Sequence, residues 1–553
     1  MLCGSIMFNF SFNSLKFLIG ERGRGCLVLL AFILLATIIN AQVAFGQSYQ
    51  NLSIGNAKAL ALANAVTADP PTIDSLHFNP AGLYNSVPKG KTYSIQAILS
   101  PKPELTIGTQ WTGEYPDANL FINDCNTECV LNNEQGFEMQ RHTIEGFPTY
   151  IPGKGESERK NVFPRGGFIY KGERLAFGIG PYVTFGAGLE TPANEEISFP
   201  KRKLAAINLV MAAPGIAIKV NEQLTIGGSI PIHYLGVLDD SRLRLPNLAI
   251  ALLSEGIESL CDVGSIEVCT EDGESIPLYD EAIAIIIEGE DRFTPSFNLG
   301  FLWSPLAWLS VGGVYQSKVD HIVEGDFEIR YHPSFIKLFQ TGLLSGLPNA
   351  PQLEEIPDNY VERGKSQVVQ SLPRHISLGL SAQVTSKLKF NFDIKRTDFS
   401  IIDIGITKFD RPTFLAALSE VVNGTEPFTT TKPIGYRDGW NFSQGIEYLW
   451  SHSLSLRLGY EWRESVIPEG SRIISSPLGD TKVMSFGFKY SFNHDFHLEF
   501  AAANISSYQY IPSGTSFSNS WDPGQLYVTH PGYNLETNLE SNVFILSFTQ
   551  HLH

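Results

Sequence analysis

From Tyr93 onward the chain repeats with a period of two. In Ser453 to Trp462, apolar Leu454, Leu456, Leu458, Tyr460 and Trp462 alternate with Ser453, Ser455, Arg457, Gly459 and Glu461. In Leu388 to Lys395, Leu388, Phe390, Phe392 and Ile394 alternate with Lys389, Asn391, Asp393 and Lys395. Similar stripes are Met484, Phe486, Phe488, Tyr490 and Phe492, and Ile376, Leu378, Leu380, Ala382 and Val384. Side chains of a strand point alternately to opposite faces, so each segment has one apolar face and one that carries charge. A soluble sandwich with its core on the apolar side gives this stripe, and so does a barrel whose apolar side meets lipid.

Two further features favour the barrel. Aromatic residues collect at stripe ends: Trp303, Trp440, Trp450, Tyr460, Trp462 and Tyr490. Trp and Tyr belong where a bilayer meets water. The links also alternate in length. The strands read as 92–108, 163–171, 174–187, 204–220, 222–238, 293–303, 307–325, 374–384, 386–398, 438–450, 453–464, 481–492, 494–505 and 537–550. Short links such as Lys171-Gly172-Glu173, Ser304-Pro305-Leu306 and Ser451-His452 alternate with long loops. An even strand count with short turns at one end and long loops at the other is the pattern of bacterial outer-membrane barrels. The expected fold is all-β: a transmembrane antiparallel β-barrel of about 14 strands.

Composition agrees. Charged residues are 18%, below the roughly 25% of ordinary soluble domains. A net charge of -17 excludes nucleic acid as a partner, because no basic stripe is present to neutralise phosphates. Residues 1–46 read as an export signal: Lys16, Arg22 and Arg24 precede the apolar run Leu27 to Ile39, and cleavage is expected after Ala41 or Gly46. An N-terminal anchor is the alternative. Cys3 and Cys26 would leave with the signal. Cys125 with Cys129, and Cys261 with Cys269, read as two disulfides clipping surface loops. A metal site built from all four lacks the C-x2-C spacing typical of zinc. No metal and no cofactor are expected.

Residues 47–90 precede the alternating part. Ile54 to Val66 is rich in Ala and Leu and prone to helix, Asp69-Pro70-Pro71 stops it, and Phe78-Asn79-Pro80-Ala81-Gly82-Leu83 is a tight-turn sequence. The segment is too small to fold alone, and a barrel of this width would otherwise be an open channel, so its expected place is the lumen, as a hatch. Residues 91–553 then form the barrel with its long outer loops.

On these residues the chain resembles the FadL/TodX-like family of outer-membrane transporters. The likeness covers the whole mature chain. Asn79-Pro80-Ala81 after a helical plug and before the first strand is its most specific part. Leu175 to Leu189 resembles the family's third strand, and Leu456-Arg457-Leu458-Gly459-Tyr460 lies in a similar C-terminal half. The resemblance implies a fourteen-stranded barrel plugged by the hatch. It also implies that long-chain fatty acids or hydrocarbons are captured at outer loops and leave sideways through a wall opening near strand three. The chain departs from the family at Lys58-Ala59-Leu60, which partly replaces a Gly-rich opening. It departs again at Gln550-His551-Leu552-His553, where Phe548 is the nearest aromatic.

Several residues could carry such a function. Gly178, Gly180 and Pro181 interrupt strand three, as a bulge or as a gap in the wall. Asn79 is either a turn residue or a gate bonded to that strand. Three apolar, helix-like runs fall in the outer loops. They hold Leu248, Ile250, Leu252 and Leu253; Ile283, Ile285, Ile286 and Ile287; and Phe335, Leu338, Phe339 and Leu343. They form a capture groove, or they pack on one another and close the loop. Inward charges, among them Asp393, Glu447, Arg457, Glu461, Lys489 and Glu499, either pair together or hold a substrate carboxylate, for which Arg457 has the best geometry. No catalytic motif occurs, and no Ser–His pair can be named. His551 and His553 read as a flexible tail. The expected partners are membrane lipid, a hydrophobic small molecule and the barrel assembly machinery, with the chain a monomer. An adhesin or a ligand-binding barrel that does not conduct is the alternative.

Overall fold

The computed structural model describes residues 55–99, 103–112, 138–144, 147–157, 165–191, 201–243, 267–269, 275–277, 283–333, 336, 360–401, 404–416, 426, 428–433, 435–474, 476–520, 530 and 532–552. Fourteen strands form a closed ring. They are β1 Gly90–Leu99, β2 Arg165–Lys171, β3 Leu175–Ile179, β4 Gly215–Lys219, β5 Leu224–Ser229, β6 Asn298–Leu306 and β7 Leu309–Gln316, followed by β8 His375–Gln383, β9 Leu388–Thr397, β10 Gly439–Ser451, β11 Leu454–Arg463, β12 Thr481–Ser491, β13 Phe496–Ile511 and β14 Tyr533–Leu552. Each pairs antiparallel with its sequence neighbour, and β14 closes on β1 from Lys91↔Leu552 to Leu99↔Phe544.

The stripes face outward. In β8, Ile376, Leu378 and Leu380 are 46%, 52% and 36% exposed, whereas Ser377 and Ser381 are each 7% exposed. A soluble sandwich would reverse this order, so the apolar face is the one that needs lipid. Trp303, Trp308, Trp450, Tyr490 and Phe492 are exposed at the short-turn end. Among the described residues no helix is long and apolar enough to cross a membrane, so strands alone make the crossing.

Beyond the ring, β3 to β10 continue into a second, eight-stranded sheet: Tyr182–Glu190, Lys201–Ala212, Ile232–Leu243, Ile283–Pro295, Val319–Tyr331, Val361–Leu372, Ile404–Phe409 and Thr429–Pro433. The two levels part at short breaks, many of them marked by proline: Pro181, Pro214, Pro231 and Pro373. Proline brings no N–H to a ladder, so pairing stops there. After β1 ends at Leu99, the strand Glu104–Trp111 pairs with the upper half of β14.

Three expectations are corrected. Ile283, Ile285, Ile286 and Ile287 are not in a helix-like loop; they begin the strand Ile283–Pro295, paired on both sides. A β-branched run favours a strand. The helix-prone stretch holds only α1, Ala57–Ala61, after which Ala63 and Asn64 turn with positive φ of 47° and 66°. His551 is no loose tail. It lies in β14, where its ring nitrogen meets the Thr92 hydroxyl at 2.9 Å. Residues 1–54 lie outside the described part, and with them the export signal.

Candidate functional site

The hatch occupies the lumen and is tied to it by polar side chains. Asn56 caps α1, accepting from the Ala59 N–H at 3.0 Å, and its Nδ2 donates to Asp74 at 2.7 Å. Gln96 of β1 donates to the same carboxylate at 2.6 Å. Arg165 of β2 pairs with Asp74 at 2.7 Å and donates to the Gly55 carbonyl at 2.5 Å. On the far wall, Asp393 of β9 accepts from the N–H groups of Val66 and Thr67 at 2.8 and 2.7 Å. The turn at Ala63 and Asn64 aims those two groups, and Asn64 in turn donates to Glu461 at 2.8 Å. Wall glycines make room for the plug. A Cβ on Gly459 would meet the Ala63 nitrogen at 2.4 Å.

Asn79, the C-cap of α2 (Ser75–Phe78), bridges plug and wall, and its wall partner is β6 and not the expected third strand. Its Nδ2 donates to the Thr67 carbonyl at 2.8 Å and to the Phe301 carbonyl of β6 at 2.9 Å, while its Oδ1 accepts from Ala81 N–H at 3.2 Å. Only glycine fits opposite, because a Cβ on Gly300 would lie 2.1 Å from Asn79 Oδ1. Pro80 and Ala81 lie against Gly227 of β5, and Gly178 faces Leu83 of α3, Gly82–Asn85.

Beneath the hatch a polar cavity of about 640 Å³ reaches the turn residues His452 and Ser453 at the short-turn end. Two ion clusters line it. Asp69 bridges Lys58 at 2.7 Å and Lys389 of β9 at 3.1 Å. Arg457 is held by Glu447 at 2.5 Å and Glu499 at 2.8 Å, with its own side chain 2% exposed. Its guanidinium is thus engaged by two carboxylates. Burial alone would push the Asp69 carboxyl up, but Lys58 and then Lys389 outweigh burial and hold it below the usual carboxylate range. A depressed carboxyl stabilises the plugged state above its ordinary value and loses that contribution only as pH falls through the lowered one. The contribution of the Asp69 clamp should therefore stay at its neutral-pH level down to about pH 4, the ordinary carboxylate value. The Asp69→Asn variant should leak more than wild type already at neutral pH. A difference in conductance between wild type and Asp69→Asn that vanishes between pH 7 and pH 4 would contradict this.

Among the described residues the β2–β3 ladder stops short, leaving a candidate window in the wall. Phe168↔Ile179 is the last β2–β3 pair, and Arg165 to Gly167 of β2 pair with β1 but not with β3. At Gly180-Pro181 the chain leaves the ring for the upper sheet, where Tyr182–Glu190 pairs with Lys201–Ala212. Ile73 of the hatch stoppers the window: a Cβ on Gly167 would meet Ile73 Cγ1 at 2.2 Å, and one on Gly180 would meet it at 3.0 Å. Gly178, Gly180 and Pro181 therefore sit at the window, with Asn79 on the same plug.

Above the hatch, beside the window, lies a buried polar chain. His321 meets Asp291 at 2.7 Å, Asn208 meets His321 at 2.9 Å, His233 meets Asn208 at 3.0 Å, and Ser296 meets His233 at 2.8 Å. Because a carboxylate only accepts, one tautomer set satisfies the chain. His321 Nδ1–H then donates to Asp291, Asn208 Nδ2 to His321 Nε2, His233 Nδ1–H to Asn208 Oδ1, and Ser296 Oγ to His233 Nε2. No reading of sequence spacing could find this set, because its members come from four separate strands and one break. It does bring together a Ser–His pair that the sequence alone could not name. Loop residues Leu248, Ile250, Leu252, Leu253, Phe335, Leu338, Phe339 and Leu343, and Cys125, Cys129 and Cys261, lie outside the described residues. Of Cys269 only its place in the short strand Glu267–Cys269 is described.

The sequence model of a family described as outer membrane protein transport protein (OMPP1/FadL/TodX) matches residues 34–551. Among solved structures, the fold is similar to that of a Pseudomonas aeruginosa FadL homologue at 16% identity and a TM-score of 0.61, covering 92% of this chain and 100% of that one. It is similar to the P. putida toluene transporter TodX at 16% identity and a TM-score of 0.55, covering 91% and 99%. The Ralstonia pickettii toluene transporter TbuX gives 13% identity and a TM-score of 0.54, covering 92% and 100%. At these identities the likeness speaks to the fold. No curated protein matches the chain.

Proposed function

The chain belongs to the outer membrane protein transport family (OMPP1/FadL/TodX), and from that premise we propose that it carries hydrophobic compounds, long-chain fatty acids or hydrocarbons, through a side window in its wall. Cargo is captured at the outer loops, at Leu248, Ile250, Leu252, Leu253, Phe335, Leu338, Phe339 and Leu343. It passes the upper sheet and leaves between β2 and β3 when Ile73 gives way. Asn79, Pro80 and Ala81 hold the hatch in register with that window. The loop cysteine pairs brace the capture surface as disulfides. The chain performs no bond chemistry, acts as a monomer, and depends on membrane lipid and the barrel assembly machinery.

The observation that carries this reading is the missing β2–β3 ladder at Arg165 to Gly167, filled by one aliphatic side chain. An unpaired strand edge in lipid is expensive, so it persists where something is gained. Two of the similar structures are toluene transporters by name, which supports a hydrophobic cargo.

A reversible staple tests it. A Cβ on Gly180 would lie 3.4 Å from the Gly167 Cα, close enough for a disulfide. With Gly167→Cys and Gly180→Cys together, uptake of hexadecane by cells making the protein should fall about ten-fold under oxidising conditions, and reductant should restore it. Unchanged uptake in a barrel whose staple has formed would remove the window from the path.

A further inference from the structure

Two side-chain atoms of residues that line the cavity above the hatch have no hydrogen-bond partner among the described residues. Gln316 ends β7, and across the ladder it stands opposite His375, which begins β8. The two are 7% and 8% exposed. Gln316 Nε2 donates to the His77 carbonyl at 2.7 Å, which fixes the amide and turns Oε1 away. His375 Nδ1 meets the Thr397 hydroxyl at 2.7 Å, which leaves Nε2. Neither Gln316 Oε1 nor His375 Nε2 has a hydrogen bond among the described residues. Both residues line a cavity of about 40 Å³, together with His77, His233, Ser296 and Ser317. The space exceeds the ~10–15 Å³ that one water needs, so it takes a small polar group and no alkyl chain.

The position is as telling as the chemistry. His77 of the hatch packs edge-on against Tyr182, the first residue past the Gly180-Pro181 break, with centroids 5.2 Å apart. Pro231 and Pro373, at two further breaks, also line the cavity. A molecule leaving through the window would carry its end past this point.

We propose that this cavity is a head-group station for a hydrophobic compound bearing a neutral hydroxyl, as in an aliphatic alcohol or an undissociated acid. The inference rests on the transport function proposed above and narrows its cargo. A hydroxyl donates its one proton to Gln316 Oε1 and accepts from His375 Nε2–H, in the tautomer whose Nδ1 accepts from the Thr397 hydroxyl. A carboxylate only accepts, so it would oppose Gln316 Oε1, and no Lys or Arg lines the cavity to offset its charge. A bare alkane offers neither atom a hydrogen bond and so gains nothing at this site. The His233–Asn208–His321–Asp291 chain fixes the orientation of Ser296 at the cavity edge, so the station is built before cargo arrives.

The test is equilibrium binding to the purified full-length barrel in detergent, with tritiated hexadecan-1-ol, hexadecane and, in alkaline buffer, hexadecanoate. Wild type should hold the alcohol about ten-fold tighter than the alkane or the carboxylate, the scale of one hydrogen bond left unmade. His375→Phe and Gln316→Leu should each erase that preference, bringing the alcohol down to the affinity of hexadecane measured on the same variant. Folding of each variant is checked by its heat-dependent gel mobility. If Gln316→Leu fails to fold because His77 loses its anchor, His375→Phe decides alone. Equal binding of alcohol and alkane by wild type overturns the head-group station and leaves transport standing. A preference that survives in His375→Phe overturns it too. Absence of binding by all three ligands would instead overturn the transport reading on which it rests.

Discussion

Deleting residues 47–88 should turn a closed barrel into an open pore. The lumen of a fourteen-stranded ring is wide, and in this chain the space is filled by the hatch. What holds the hatch is a set of directed bonds to the wall: Asp74 with Arg165 and Gln96, Asp393 with the N–H groups of Val66 and Thr67, and Asn79 with Phe301. Without it, conductance across a planar bilayer should rise by about an order of magnitude or more. Gly459→Val gives a graded version. Its side chain would collide with backbone atoms of Leu62 and Ala63, so the plug must lift, while the strand itself keeps its outward face. A deletion that leaves conductance at the wild-type level would mean that the loops, and not the hatch, close the barrel. Such a result would favour a barrel that binds without conducting.

Removing the charge of Arg457 should cost about 3–5 kcal/mol of barrel stability, the range for breaking a buried ion pair from one side. Arg457→Met keeps the side-chain bulk but leaves Glu447 and Glu499 facing each other across an empty position. The triple variant with Glu447→Gln and Glu499→Gln should recover much of the loss, because the uncompensated charges are then gone. Urea or guanidinium unfolding of the barrel in micelles reads both. A loss under about 1 kcal/mol would show that water screens the trio as it does a surface pair. It would also release the guanidinium for a substrate carboxylate, the other role its sequence position allows.

Much of the ring was legible because inside and outside differ in polarity at every second residue. The run of β8 declares itself by Ile376, Leu378 and Leu380 against Ser377 and Ser381, with no need for a partner strand. The upper sheet was not legible in that way. In Ile283–Pro295 the first residues are covered on both faces, so burial runs without alternation and the signal of a strand is lost. Single prolines at the breaks do not disturb a stripe enough to show that the wall has two levels. Among site residues, Asn79 and the Gly180-Pro181 kink were visible because each is a local sequence event. The partners of Arg457 lie 10 and 42 residues away, and Asn208 meets a histidine 113 residues off. Such pairs follow from register across several strands, which no local pattern encodes.

The floor on which α1 rests is supplied by β10 to β13, where Gly445, Gly459 and Gly487 meet Leu62, Ala63 and Ala61. Those strands are among the last of the chain to be made and exported. The earliest segment of the described chain therefore waits for nearly the latest, and its docking closes a loop of several hundred residues, which is slow in any chain. The pore can be stoppered only once the wall is almost complete, so a translation product cut short before β10 could neither close its ring nor hold its plug.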